Sequence, residues 1–119
     1  MVKTIKITTG CRVSVTELPD WDLKERAKEL DAEFIEIVRT KRMHDLFGNP
    51  VVMMVDDSGL IRNKPVNPFA SFLYAEYGGI IAGDVLLGIQ KGPDILPPDD
   101  PEGMLRFLTE RFPALQKGG

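Results

Sequence analysis

Val51-Val52-Met53-Met54-Val55 is an apolar run with no polar residue inside it, and it stops at Asp56-Asp57-Ser58-Gly59. A half-buried strand alternates apolar and polar side chains, so an unbroken run points to a strand covered on both faces. Such a strand sits inside a sheet, and other segments must supply its cover. The acidic tetrad that ends it is a turn signal. A second apolar stretch, Ile80 to Ile89, is interrupted by Gly83 and Gly88. Glycine inside a strand marks a bulge or a close approach of backbone.

The flanking segments follow shorter periods. Residues 3–8 place Ile5 and Ile7 on one side and Thr4 and Lys6 on the other; residues 12–17 place Val13 and Val15 inward and Arg12, Ser14 and Thr16 outward. Period-two alternation marks strands with one face in a core. Thr9-Gly10 lies between them, where Gly permits the positive φ of a tight turn. An N-terminal hairpin is predicted, with Lys3 and Lys6 guarding its exposed strand against edge-to-edge pairing. Pro19 ends that unit. Asp22 stands three residues before Glu25, a capping-box spacing, and Leu23, Ala27 and Leu30 predict a helix over 22–31. Trp21 is placed to anchor its start to the sheet. Phe34 to Thr40 reads as a strand with Ile35 and Ile37 inward.

Lys41 to Pro50 is too long for a tight turn and is either a protruding loop or one helical turn. Asn67-Pro68 opens a helix, with Asn at the cap and Pro at the first position. Phe69, Phe72, Leu73 and Tyr77 form its apolar face, and Gly78-Gly79 closes it. Gly92 to Asp100 is a Pro-rich acidic loop. Asp100-Pro101 opens a last helix with Met104, Leu105, Leu108 and Phe112 on one face, ended by Pro113. The order β-β-α-β-β-α-β-α defines an α+β fold, a mostly antiparallel sheet of about five strands with three helices.

At 119 residues the chain is expected to form a single domain over 1–115, with 116–119 a flexible tail. A net charge of −3 is too mild for a nucleic-acid mimic and of the wrong sign for a phosphate-binding coat, so nucleic acid is not an expected partner. Cys11 is the only cysteine, and a chain with no internal disulfide fits a reducing interior. Lys3 and Lys6 break any N-terminal signal-like run, and no segment approaches the ~20 apolar residues of a membrane span. A cytoplasmic protein with no membrane partner is expected.

Val-Asp-Asp-x-Gly at 55–59, Asn67-Pro68-x-Ala70-Ser71 and Ile81-x-Gly83-Asp84-Val85-Leu86-Leu87-Gly88, in that order, resemble an uncharacterised family of small phage, plasmid and bacterial proteins. Its members open with a Lys-Ile-rich hairpin like Ile5-Lys6-Ile7 and continue with a helix and a strand like Phe34-Ile35-Glu36-Ile37-Val38. The resemblance covers nearly the whole chain. The longer 41–50 segment and Asn63-Lys64-Pro65-Val66 depart from the pattern. The resemblance implies an accessory protein of mobile DNA that acts by binding, and it carries over no catalytic residues.

Three groups could carry chemistry. Asp56, Asp57 and Asp84 lie near strand ends and could hold a divalent cation, but the alternating acids and distant Glu of a calcium loop are absent. His44 is the only histidine; neither an orienting partner nor further zinc ligands beyond Cys11 are evident. Cys11 beside Arg12 reads as a passive thiol. Gly83 and Gly88 have phosphate-loop spacing, but Ile89-Gln90 follows where Lys-Ser/Thr is required. The third group is basic: Arg39, Lys41, Arg42 and His44, then Arg62 and Lys64. If the strands around them pair antiparallel, the two sets start at opposite ends, and the chain must double back to merge them. Arg offers bidentate contacts to phosphate or carboxylate, and Phe47 in the same segment adds an aromatic anchor.

The expected function is a non-catalytic interaction protein of phage or mobile-element origin, inhibiting or sequestering a host defence component. Its contact surface is Arg39, Lys41, Arg42, His44, Phe47, Arg62 and Lys64, and its partner a host or phage protein. A sponge for a small anionic ligand such as a nucleotide signal is one alternative. A metal-dependent enzyme using Asp56, Asp57 and Asp84 is another. No cofactor is expected, and a homodimer stays open.

Overall fold

The computed structural model describes residues 1–74 and 79–118. Among these the elements run β1 (Val2–Ile7), β2 (Arg12–Leu18), α1 (Leu23–Glu29), β3 (Ile35–Val38), α2 (Lys41–Phe47), β4 (Val51–Asp56), α3 (Pro68–Tyr74), β5 (Val85–Lys91), β6 (Asp94–Leu96), α4 (Pro101–Arg111) and β7 (Gln116–Lys117). The fold is α+β with a mostly antiparallel sheet. Its strand order is β3-β4-β5-β1-β2-β7, with β6 also paired to β5. Seven strands and four helices exceed the five and three expected. The additions are α2, β6 and β7, each short.

The N-terminal hairpin forms in the register Val2↔Leu18 to Ile7↔Val13. Its turn differs from expectation: the positive φ, 60°, falls on Cys11 and not on Gly10. Nor is β1 an exposed edge, because it lies between β2 and β5. β4 is buried along its whole length, as an unbroken apolar run requires, but β5 is the strand on which the sheet converges. It pairs with β4 on one side. It also pairs with β1 through Lys6↔Leu86 and Ile7↔Val85, and with β6 through Ile89↔Leu96 to Lys91↔Asp94. The sheet therefore forks along β5. Thr4, fully buried, spans the gap by donating its hydroxyl to Leu87 O at 2.6 Å. Gly88 sits at the fork because a Cβ there would lie 2.7 Å from Ile95 Cγ2, the close approach its position in the strand implied. Gly92, with φ 58°, closes the β5–β6 hairpin.

Layers cover both faces. On one, Met43 of α2, Phe69, Ala70 and Leu73 of α3, and Leu105 and Leu108 of α4 pack on Ile5, Ile7, Val13, Val51, Met53, Val55, Val85 and Leu87. On the other, Leu18, Leu30, Met54 and Leu86 join Trp21, Ile35, Ile37 and Ile95. Burying each of the larger side chains contributes about 2 kcal/mol. Trp21 does anchor α1, through Nε1 donating to Ile95 O at 2.7 Å.

The caps follow the chain's own signals. Glu25 N donates to Asp22 Oδ1, Ala70 N to Asn67 Oδ1 and Gly103 N to Asp100 Oδ1. Asn67 does more than cap. It is fully buried, and its Nδ2 donates to Ile7 O at 3.1 Å and Gly83 O at 3.0 Å, tying α3 to β1 and the approach to β5. The expected contributions of Tyr77 and Gly78 to α3 lie outside the described residues. The expected tail is in part a strand, Arg12↔Gln116 and Val13↔Lys117 running parallel to β2. Among the described residues no helix is long and apolar enough to cross a membrane.

Candidate functional site

The seven residues expected to bind a partner, whether or not as one patch, are distributed over three places. The pairing Ile35↔Asp56 to Val38↔Met53 sets the division. Arg39 and α2 follow the Val38 end of β3, whereas Arg62 and Lys64 follow the Asp56 end of β4. The chain does not double back to merge them.

At the Asp56 end the cations are consumed locally. Asp56 is 6% exposed. Its carboxylate receives Lys64 Nζ at 2.7 Å and Arg62 Nη1 at 3.1 Å. Oδ1 also accepts from Ser58 N at 2.9 Å, closing the turn. Lys64 further donates to Leu30 O and Asp31 O, and Arg62 to Asp31 O, so the cluster clamps the end of α1 to the turn after β4. Burial by itself would raise the Asp56 pKa. The Lys64 hydrogen bond, the Ser58 N–H and the charges of Lys64 and Arg62 outweigh it and hold the carboxyl below its ordinary value. Arg62 and Lys64 thus hold the Asp56 turn to α1, apart from the other five residues expected to bind.

Asp84 is likewise committed. It accepts Thr9 N at 3.1 Å and faces Lys6 Nζ at 3.7 Å, and Lys6 also pairs with Glu29 at 2.7 Å. Asp56, Asp57 and Asp84 do not converge. Among the described residues no group of three or more His, Cys, Asp or Glu side chains is placed to hold a metal ion.

The second place is a cavity of about 320 Å³ lined by Arg39, Thr40, Lys41, His44, Pro50, Val51, Val52 and Gln90. Arg39 and His44 are exposed, and Lys41 pairs with Asp45 at 2.9 Å. Gln90 Nε2 donates to Gly92 O at 2.7 Å, and its buried Oε1 has no hydrogen-bond partner.

The third place is the outer surface of α2, α3 and α4. Segment 41–50 proves to be a capped helix. Thr40 Oγ1 accepts from Met43 N, Met43 is buried, and Gly48 ends the helix with φ 69°. This winding sends Arg42 toward α3. Its Nη1 donates to Phe72 O at 2.6 Å, and its guanidinium lies 4.7 Å over the Phe72 ring. Phe72 and Phe69 each meet Phe112 edge-on, at 5.9 and 4.9 Å, and Arg111 lies 5.2 Å over Phe112. Beside these rings is a groove of about 300 Å³ lined by Cys11, Pro68, Phe69, Phe72, Phe112 and Pro113, among others. Phe47 packs on Phe107 at 5.8 Å, on the flank of a separate groove that Met104 and Ile89 also line.

Phe72 and Phe112 were legible as helix-face residues but not as parts of a surface, and Arg111 gave no signal. Their meeting with Arg42 depends on α2 being a helix.

Compared with known proteins, the chain matches no family model, no curated protein and no solved structure.

Proposed function

We propose that the chain is an interaction protein, not an enzyme, and that it grips a partner protein with the outer face of α2, α3 and α4. One observation carries the reading: an apolar groove walled by Phe69, Phe72 and Phe112 with guanidinium groups stacked at its rim, Arg42 over Phe72 and Arg111 over Phe112. Phe72 is 44% exposed, so the surface is open to a partner. Interfaces concentrate their energy in aromatic and arginine anchors of this kind. The complementary partner presents an apolar side chain beside carboxylates, which Arg takes up in bidentate contacts. The context proposed for it, sequestering or inhibiting a host defence component on behalf of a mobile element, rests on the sequence resemblance alone.

The test is capture from host lysate with wild type, Arg42→Ala, Phe72→Ala and Arg111→Glu, each checked for an unchanged denaturation midpoint. Truncating a hot-spot anchor costs about 2 kcal/mol or more, roughly thirtyfold in affinity. Retention of every captured partner by all variants would overturn the assignment of this face.

The Arg39–His44 cavity supports a second reading, a binder of a small anionic ligand. Its particular observation is the unpartnered Gln90 Oε1 beside that cationic lining. A ligand that answers both carries a negative group and a hydrogen-bond donor, as nucleotides do. Calorimetric titration with a nucleotide panel tests it.

A further inference from the structure

The far edge of the sheet carries a surface with no part in either reading above. β3 ends the strand order and, among the described residues, pairs only with β4. Asp57 N donates to Phe34 O at 3.1 Å, which marks Phe34 and Asp57 as a hydrogen-bonded pair in the register of the ladder. Antiparallel ladders alternate bonded and non-bonded pairs. Glu36 and Val38 therefore spend their backbone groups on β4, while Ile35 and Ile37 turn theirs to the open edge. Ile35-Glu36-Ile37-Val38 carries no proline or lysine; its protection as an edge is its shortness and the charge of Glu36.

The surroundings of this edge are apolar and acidic. Phe34 is 65% exposed, Leu60 54%, Ile61 84% and Ile80 50%. Leu60, Ile61 and Ile80 line a groove of about 220 Å³ together with Glu36, Val55 and Asp57. Phe34 and Glu36 share a sheet face with Val55 by strand alternation, and Glu36 lines the groove. On the opposite face Ile35 and Ile37 are half-buried. The carboxylates here are uncommitted: among the described residues no ion pair engages Glu33, Glu36 or Asp57.

We propose that β3 is a docking edge that accepts an extended segment of a partner protein as an added strand, and that this segment alternates apolar with basic residues. The backbone groups of Ile35 and Ile37 supply the ladder. Lysine or arginine on the groove face meets Glu36 and Asp57, and apolar residues on the other face cover Ile35 and Ile37. Main-chain bonds give such docking its affinity, and the alternating side chains give it selectivity. The charge of the groove selects a basic strand over an acidic one.

A fluorescein-labelled peptide alternating Lys with Val or Ile serves as probe, read by anisotropy, with backbone amide shifts recorded by NMR. Binding that shifts Ile35 and Ile37 most is expected. The Kd should rise by about tenfold or more in Glu36→Lys, in Ile37→Pro, and with a peptide N-methylated at alternate residues. Proline at 37 removes an outward donor and leaves the β4 ladder intact. Glu36 is exposed, so its variant tests the edge even if the proline variant unfolds. A Glu-Val counterpart that binds equally well would overturn the proposal, as would N-methylation without effect. A wild-type dimer that Ile37→Pro converts to monomer, with no peptide bound, would give the edge to a second copy and overturn it too. None of these variants touches Arg42, Phe72 or Arg111, so this outcome is separable from that of the helical face.

Discussion

Replacing Asp56 with Asn removes a charge from the most enclosed ion cluster in the molecule. The Asp56 side chain is 2% exposed, Lys64 16% and Arg62 42%. Arg62 is open enough for water to replace most of its share, so its pairing is worth little. The cost concentrates on Lys64, whose ammonium loses a charged acceptor at 2.7 Å and keeps Leu30 O at 2.9 Å and Asp31 O at 2.8 Å. Asn preserves the shape and the bond from Ser58 N. A hydrogen bond to a charged group contributes about 1.5–3 kcal/mol, and stranding one member of a buried pair costs more. About 2 kcal/mol at neutral pH follows, which for a domain of this size lowers Tm by about 8 °C.

The same residue fixes a pH dependence. The folded pKa of Asp56 lies below its unfolded value, so its stabilisation is in place above about pH 4 and is lost as pH falls through the folded pKa. Urea denaturation of wild type and Asp56→Asn across acid pH should show two curves apart near neutrality and converging in acid. A gap under about 0.5 kcal/mol at neutral pH, or one that does not narrow in acid, would refute the reasoning.

Asn67→Ala should cost about 3 kcal/mol, because it removes the α3 cap and leaves Ile7 O and Gly83 O without their buried donor. Asn67→Asp keeps the cap but replaces those donors with a buried charge, so a milder effect from Asp than from Ala, read by denaturant midpoint, would contradict the geometry. Arg39→Ala should weaken any nucleotide bound in the Arg39–His44 cavity by about tenfold in calorimetry while sparing capture by the helical face; a panel that binds wild type nowhere retires the second reading.

What the chain made legible and what it hid divide on physical lines. Asp22, Asn67 and Asp100 declare their helices because each cap is a local bond, closed within three residues. The β4 run declares its burial because no partner is needed to see that it lacks a polar face. α2 was readable too: Thr40, Met43, Leu46, Phe47 and Gly48 spell cap, apolar face and C-terminal glycine. The charges among them, and a strand drawn through to Thr40 when β3 ends at Val38, concealed it. β6 and β7 could not be read, since strands of three and two residues exist only through the neighbours they pair with. The same holds for the sites. Asp56 read only as a turn residue or a metal candidate because the lysine that pairs with it, Lys64, comes from beyond the turn. Arg42 and Phe72 are 30 residues apart, a separation that no spacing rule spans.

The forked strand β5 also governs the timetable of assembly. The β1–β2 and β3–β4 ladders can each close from neighbouring segments as they emerge during synthesis, but among the described residues no strand pairing joins one to the other until residues 85–91 appear between them. From the completion of β4 at Asp56 until β5 is made, the nascent polypeptide thus carries two ladders with no strand pairing between them, and a chaperone that shields their apolar flanks has that interval in which to act.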